Sequence, residues 1–117
     1  MVSLRAHSPE VVKPGRLRAV LFGGPGAGKT WAALSFPTPY YIDTEGGADL
    51  AHYMARLKEA GGVYMGPEDG SNDFETIAEQ LRLLATGSHP YRTLVLESLT
   101  KTWHTKWSAE SDRLGEK

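Results

Sequence analysis

The chain has 117 residues, the length of one ordinary domain and enough for a single modest core. Its apolar and charged fractions, 40% and 23%, are those of a globular protein, and a net charge of −1 gives no overall pull toward nucleic acid or an anionic membrane. With no cysteine, disulfides, thiolate metal sites and cysteine nucleophiles are excluded; no run has the apolar length of a secretory signal or a membrane span, so a cytoplasmic protein without a membrane partner is expected.

Residues 1–15 are polar, contain Pro9 and Pro14, and read as an N-terminal arm. Residues 16–117 read as one core. Leu17-Arg18-Ala19-Val20-Leu21-Phe22 is a short apolar run that stops at a glycine cluster, the pattern of a buried strand. A helix is predicted from Gly28-Lys29-Thr30 through Leu34, ended by Pro37 and Pro39. Tyr40–Asp43 is the second predicted strand. Leu50, Met54 and Leu57 then mark one face of a helix, with Gly61-Gly62 as its stop. Val63–Met65 reads as a brief strand, and Gly66–Gly70 as turn chemistry.

Ser71 or Asn72 is the predicted cap of the next helix, with Glu75 as partner and a stripe of Phe74, Ile77, Ala78, Leu81, Leu84 and Ala85. Thr93–Glu97 is a further strand. The last helix runs from about Thr100 to Leu114 and aligns Leu99, Trp103 and Trp107 on one side. Strands alternating with helices predict an α/β fold with a parallel sheet.

Gly23-Gly24-Pro25-Gly26-Ala27-Gly28-Lys29-Thr30 matches the phosphate-loop pattern G-x-x-x-x-G-K-[ST] in full. Glycines let successive N–H groups turn inward around an anion, and the helix that follows adds its N-terminal donors. Lys29 places a cation against the β- and γ-phosphates, and Thr30 offers a hydroxyl to Mg²⁺. Trp31, the next residue, is counted with the loop. The pattern points to a bound nucleotide, ATP with Mg²⁺.

Two strand ends offer carboxylates. Glu97 follows Leu94-Val95-Leu96 and stands where a metal-supporting acid belongs, the alternative being a merely solvated strand end. Glu45 lies just past the second strand and can activate the attacking water, with Asp43 hydrogen-bonding nearby; the alternative is a turn in which both cap the following helix. The strand ends at Phe22, Asp43 and Glu97 are expected to converge on one sheet edge.

Three stretches, RLRAVLFGGPGAGKTWAALSFP, YYIDTEGGADL and YRTLVLESLT, resemble the RecA-like, AAA-type P-loop ATPases of bacteriophages, some of which are single-strand annealing recombinases. The resemblance implies a RecA-like sheet flanked by helices, and makes Glu45 the glutamate that polarises the water and Glu97 the metal-side acid. Relatives end that last strand in Asp-Ser, whereas this chain has Glu97-Ser98. A second alignment sets Glu97 as the catalytic glutamate with Leu96 in the aspartate's place. Relatives also continue with further strands, one of which inserts between the phosphate-loop strand and the strand ending at Glu97. On that pattern the chain is the N-terminal half of a domain. Single-stranded DNA is the implied partner of the full-length form, in recombination or replication, and a homo-oligomer is implied by relatives that form hexamers or filaments. The rival readings are a small P-loop kinase and a non-catalytic nucleotide-binding module.

Lys13, Arg16 and Arg18 form one small basic cluster and Lys101 and Lys106 another; both read as solvated faces before DNA contacts. Trp103 and Trp107 read as core, or as an uncovered patch, before base-stacking groups. His7, His52, His89 and His104 lack metal-ligand spacing, and Tyr40 and Tyr41 read as ordinary strand residues.

Overall fold

A computed structural model describes residues 2–6, 9 and 15–115. The elements are helix α1 (Lys29–Leu34), strand β1 (Pro39–Asp43), helix α2 (Ala51–Glu59), strand β2 (Val63–Met65), a 3₁₀ turn at Pro67–Asp69, helix α3 (Phe74–Thr86), strand β3 (Thr93–Glu97) and helix α4 (Leu99–Arg113). The strands form a parallel sheet in the order β2-β1-β3, as the alternation of strands and helices predicts. Most of the arm at residues 1–15, including Lys13 of the first basic cluster, lies outside the described residues.

β1 organises the core because both of its faces are covered. Side chains alternate along a strand, so neighbouring residues serve opposite layers. Tyr41 packs with Ala33 and Leu34 of α1 and Leu57 of α2. Ile42 points the other way, to Met65 of β2 and Ile77 of α3. Register pairs Tyr40 with Val63 and Leu94, and Ile42 with Met65 and Leu96. Ile42 has no exposed surface. Ile42→Ala is therefore expected to cost about 2–5 kcal/mol, read as a lower urea midpoint with an unchanged slope.

Local chemistry sets the helix ends. Asp73 caps α3: its Oδ2 accepts from Thr76 N at 3.1 Å and Thr76 Oγ1 at 2.6 Å. The cap is thus one residue later than Asn72 and two later than Ser71. Ser71 is instead buried, and its Oγ donates to the Asp43 carbonyl oxygen at 2.5 Å. Ser98 caps α4, its Oγ accepting from Lys101 N at 3.1 Å.

α4 touches the body through few groups. Lys106 Nζ lies 3.3 Å from Glu75 Oε1 on α3 and 3.1 Å from Glu110 Oε1, and 5.0 Å above the Phe74 ring. These partners raise the Lys106 pKa, so this lysine bridges α3 and α4 rather than standing open on a basic face. Leu99, Trp103 and Trp107 face outward, each more than half exposed, with the two indoles stacked at 6.3 Å. They form a surface patch, not core.

The strand predicted at Leu17–Phe22 is not formed. Residues 15–23 have no regular secondary structure, and Leu17, Val20 and Phe22 are 74%, 77% and 91% exposed. An apolar run becomes a strand only where a neighbouring backbone takes its N–H and C=O groups. Both edges of β1 are occupied, by β2 and β3, and among the described residues the outer edge of β3 has no partner. Phe22 is accordingly no strand end, and the expected convergence reduces to Asp43 and Glu97, which are register partners. Among the described residues no helix is long and apolar enough to cross a membrane.

Candidate functional site

The glycine loop is shaped locally, without a strand before it. Ala27 N donates to the Gly24 carbonyl oxygen at 3.2 Å, closing a turn. Gly26 and Gly28 adopt φ of 81° and 90°, a left-handed conformation that a Cβ disfavours. Gly28 is the N-cap of α1 and has no side chain with which to bond the first-turn N–H groups. Those donors stay directed out of the helix start, the arrangement that receives an anion. Lys29 and Thr30 are the first two helical residues. Lys29 Nζ donates to the Gly23 carbonyl oxygen at 2.5 Å, so the ammonium lies across the loop.

A cavity of about 340 Å³ opens beside the loop, lined by Pro25, Gly26, Ala27, Gly28, Lys29, Thr30, Trp31, Tyr53 and Glu97. That volume is in the range of small-ligand pockets. Residues 68 positions apart in sequence, Lys29 and Glu97, thus share one space. Gly23 and Gly24, the first two residues of the loop, are not among those lining the cavity. Trp31 stands at its rim and packs edge-on to Tyr53, with ring centroids 4.9 Å apart.

Several bonds fix Glu97. Thr44 N donates to the Glu97 carbonyl oxygen at 2.6 Å, and Ser98 N donates to Thr44 Oγ1 at 2.9 Å. The Tyr41 hydroxyl donates to Glu97 Oε2. Burial first, then this hydrogen bond and the carboxylate's charge, push the Tyr41 phenol well above its ordinary range, with the Thr30 hydroxyl acting in the opposite sense. The phenol therefore remains a donor throughout the working pH range.

Asp43 and Glu45 divide their work. Asp43 is 1% exposed. Its Oδ1 accepts from Glu45 N at 3.2 Å and Gly46 N at 3.0 Å, and its Oδ2 from Ala48 N at 2.8 Å and the Tyr64 hydroxyl at 2.7 Å. It is the internal bracket of the turn after β1. Glu45 rides on that turn with its side chain exposed, and is not among the residues lining the cavity.

The family model described as an AAA domain matches residues 16–116. The chain belongs to this AAA domain family. Among curated proteins and solved structures, none matches the chain. Membership in the AAA domain family implies a nucleotide as ligand, usually with Mg²⁺, and the residues present fit both. Loop N–H groups and Lys29 suit phosphates. Thr30 and Glu97, which both line the cavity, carry hard oxygen donors, as befits an ion held by one or two protein groups together with phosphates. Among the described residues no group of three or more His, Asp or Glu could hold a metal alone.

Sequence reasoning read Tyr41 as an ordinary strand residue and assigned no role to Thr44, Tyr53 or Tyr64. Strand alternation carried a usable signal for one of them, since it puts Tyr41 on the same face of β1 as Asp43. The contacts of Tyr53 and Tyr64 depend on how α2 and β2 return to β1, which no local pattern encodes.

Proposed function

We propose that this AAA-family chain binds ATP with Mg²⁺ and, in its working form, hydrolyses it as a RecA-like ATPase. The observation that carries the reading is the shared cavity, in which the phosphate-loop residues Pro25–Thr30 meet the strand-end carboxylate Glu97. Loop N–H groups and Lys29 would hold the phosphate oxygens, and Thr30 and Glu97 would hold the metal side. Mg²⁺, when bound there, would supply positive charge against the phosphate oxygens. Glu45, given this role by the sequence resemblance and not by the cavity lining, would orient the water and accept its proton as the water oxygen bonds to the γ-phosphorus and the bond from that phosphorus to the ADP oxygen breaks. The family match over residues 16–116 supports the ATPase class. A phage origin and service in DNA recombination or replication follow the sequence resemblance, which also supports a cytosolic setting, single-stranded DNA as effector and assembly with further copies.

Two substitutions test the assignment. Glu45→Gln should leave nucleotide affinity intact and lower turnover by about 10²–10⁴-fold, the usual contribution of a general base. Glu97→Gln should instead raise the Mg²⁺ concentration needed for activity. Full turnover in Glu45→Gln together with its loss in Glu97→Gln would move the catalytic role to Glu97. Phosphate release measured with and without single-stranded DNA tests the effector. Transfer of the phosphoryl group to a small acceptor, with no response to DNA, would overturn the ATPase reading in favour of a kinase.

A further inference from the structure

β3 ends in Glu97, whose carboxylate stands one methylene further from the strand than an aspartate's would. The extra methylene adds a rotatable bond, and a longer carboxylate holds a defined position only if something fixes it. Beside it stands a group able to do so. Tyr41 of β1 is the register partner of Val95, so alternation sets its ring on the face that carries Val95 and Glu97. The ring is locked: Tyr41 is 1% exposed and packed among Ala33, Leu34, Ala48 and Leu57, with Tyr64 stacked at 6.3 Å. From that fixed ring the hydroxyl donates to Glu97 Oε2. The Thr30 side chain is a neighbour of the same phenol. The phenol of a buried residue is thus a neighbour of both Thr30 and Glu97, the two residues proposed above to hold the metal.

We propose that Tyr41 is a positioning residue of the nucleotide site, whose hydroxyl holds the long Glu97 side chain with its carboxylate beside Thr30. The hydrogen bond engages one carboxylate oxygen and leaves the other for the metal side. The inference rests on the nucleotide reading above. The plainer account is that a buried phenol needs an acceptor and Glu97 supplies it. The two accounts differ in what Mg²⁺ feels. On the plainer one, removing the hydroxyl alters stability alone; on ours, it also alters the metal requirement, and shortening residue 97 reverses the change.

The test is a titration of Mg²⁺ into the full chain with a fluorescent, non-hydrolysable ATP analogue. Tyr41→Phe should raise the Mg²⁺ midpoint roughly tenfold, the worth of one hydrogen bond to a charged group, and leave affinity in EDTA unchanged. Adding Glu97→Asp to Tyr41→Phe should bring the midpoint back toward that of the wild type, and Glu97→Asp alone should make the midpoint indifferent to the hydroxyl. An unchanged midpoint in Tyr41→Phe, or an equal shift in the Glu97→Asp background, overturns the inference and leaves the nucleotide reading standing. Wild-type binding that ignores Mg²⁺ overturns both. If Tyr41→Phe does not fold by circular dichroism, 3-fluorotyrosine at position 41 retains the ring and strengthens the donor; a shifted midpoint then supports the role, and an unshifted one overturns it.

Discussion

Lys29→Ala is expected to weaken ATP binding by about 10- to 100-fold or more while leaving the fold intact. A hydrogen bond to a charged group contributes about 1.5–3 kcal/mol, and each 1.4 kcal/mol is tenfold in affinity. The ammonium lies across the loop on the Gly23 carbonyl, and Lys29 lines the cavity beside the loop. The folded state loses little, because that bond is solvent-exposed and alanine is a good helix former at the start of α1. Circular dichroism and thermal melting should therefore match the wild type, and titration with a fluorescent ATP analogue should not. Lys29→Arg keeps the charge but carries a wider, planar head into a loop built around a point cation, so it should recover only part of the affinity. Equal affinity in wild type and Lys29→Ala would remove the loop from nucleotide binding altogether.

The parts of this molecule legible in the sequence are those whose causes are local. Thr93–Glu97 is found as a strand at its predicted bounds, and Tyr40–Asp43 with one further residue, because short apolar or aromatic runs between turn residues have few alternatives. The glycine loop was legible for the same reason, since left-handed positions at Gly26 and Gly28 are a demand on single residues. Leu17–Phe22 shows the limit. Its pattern is as apolar as that of β3, but β3 has β1 beside it, while this run has no backbone neighbour among the described residues. The outward turn of Trp103 and Trp107 has a related cause: their spacing defines a helix face, but not what covers that face. At the site, the carboxylates could be named from strand ends. What holds Glu97 could not, because its partners Tyr41 and Thr44 come across the pairing of β1 with β3, and the phenol on Asp43 likewise comes from Tyr64 of β2.

Asp43 carries the second large prediction, and it separates scaffold from chemistry. Its two oxygens accept three backbone N–H groups and one phenol, within a region almost closed to water. Asp43→Ala leaves these donors unpaired. Each buried donor so abandoned costs about 1–3 kcal/mol, and even with partial relaxation the loss should reach about 3 kcal/mol or more, set against roughly 5–15 for a whole domain. Asp43→Asn is the sharper variant. Both oxygens accept at least one backbone N–H, so an amide placed either way turns its NH₂ against an N–H group. It should therefore be destabilised nearly as much as the alanine variant, despite its matched shape. Hydrogen exchange should show residues 44–49 opening first, since that turn hangs on the carboxylate. Glu45 lies in this turn, so its carboxylate would lose its place even where β1 survives, and hydrolysis should fall further than nucleotide binding, whose loop does not touch Asp43. Asp43→Asn with wild-type stability would mean that the turn holds itself. Asp43→Asn with equal losses of binding and hydrolysis would mean that Asp43 supports the whole site, and not the Glu45 turn alone.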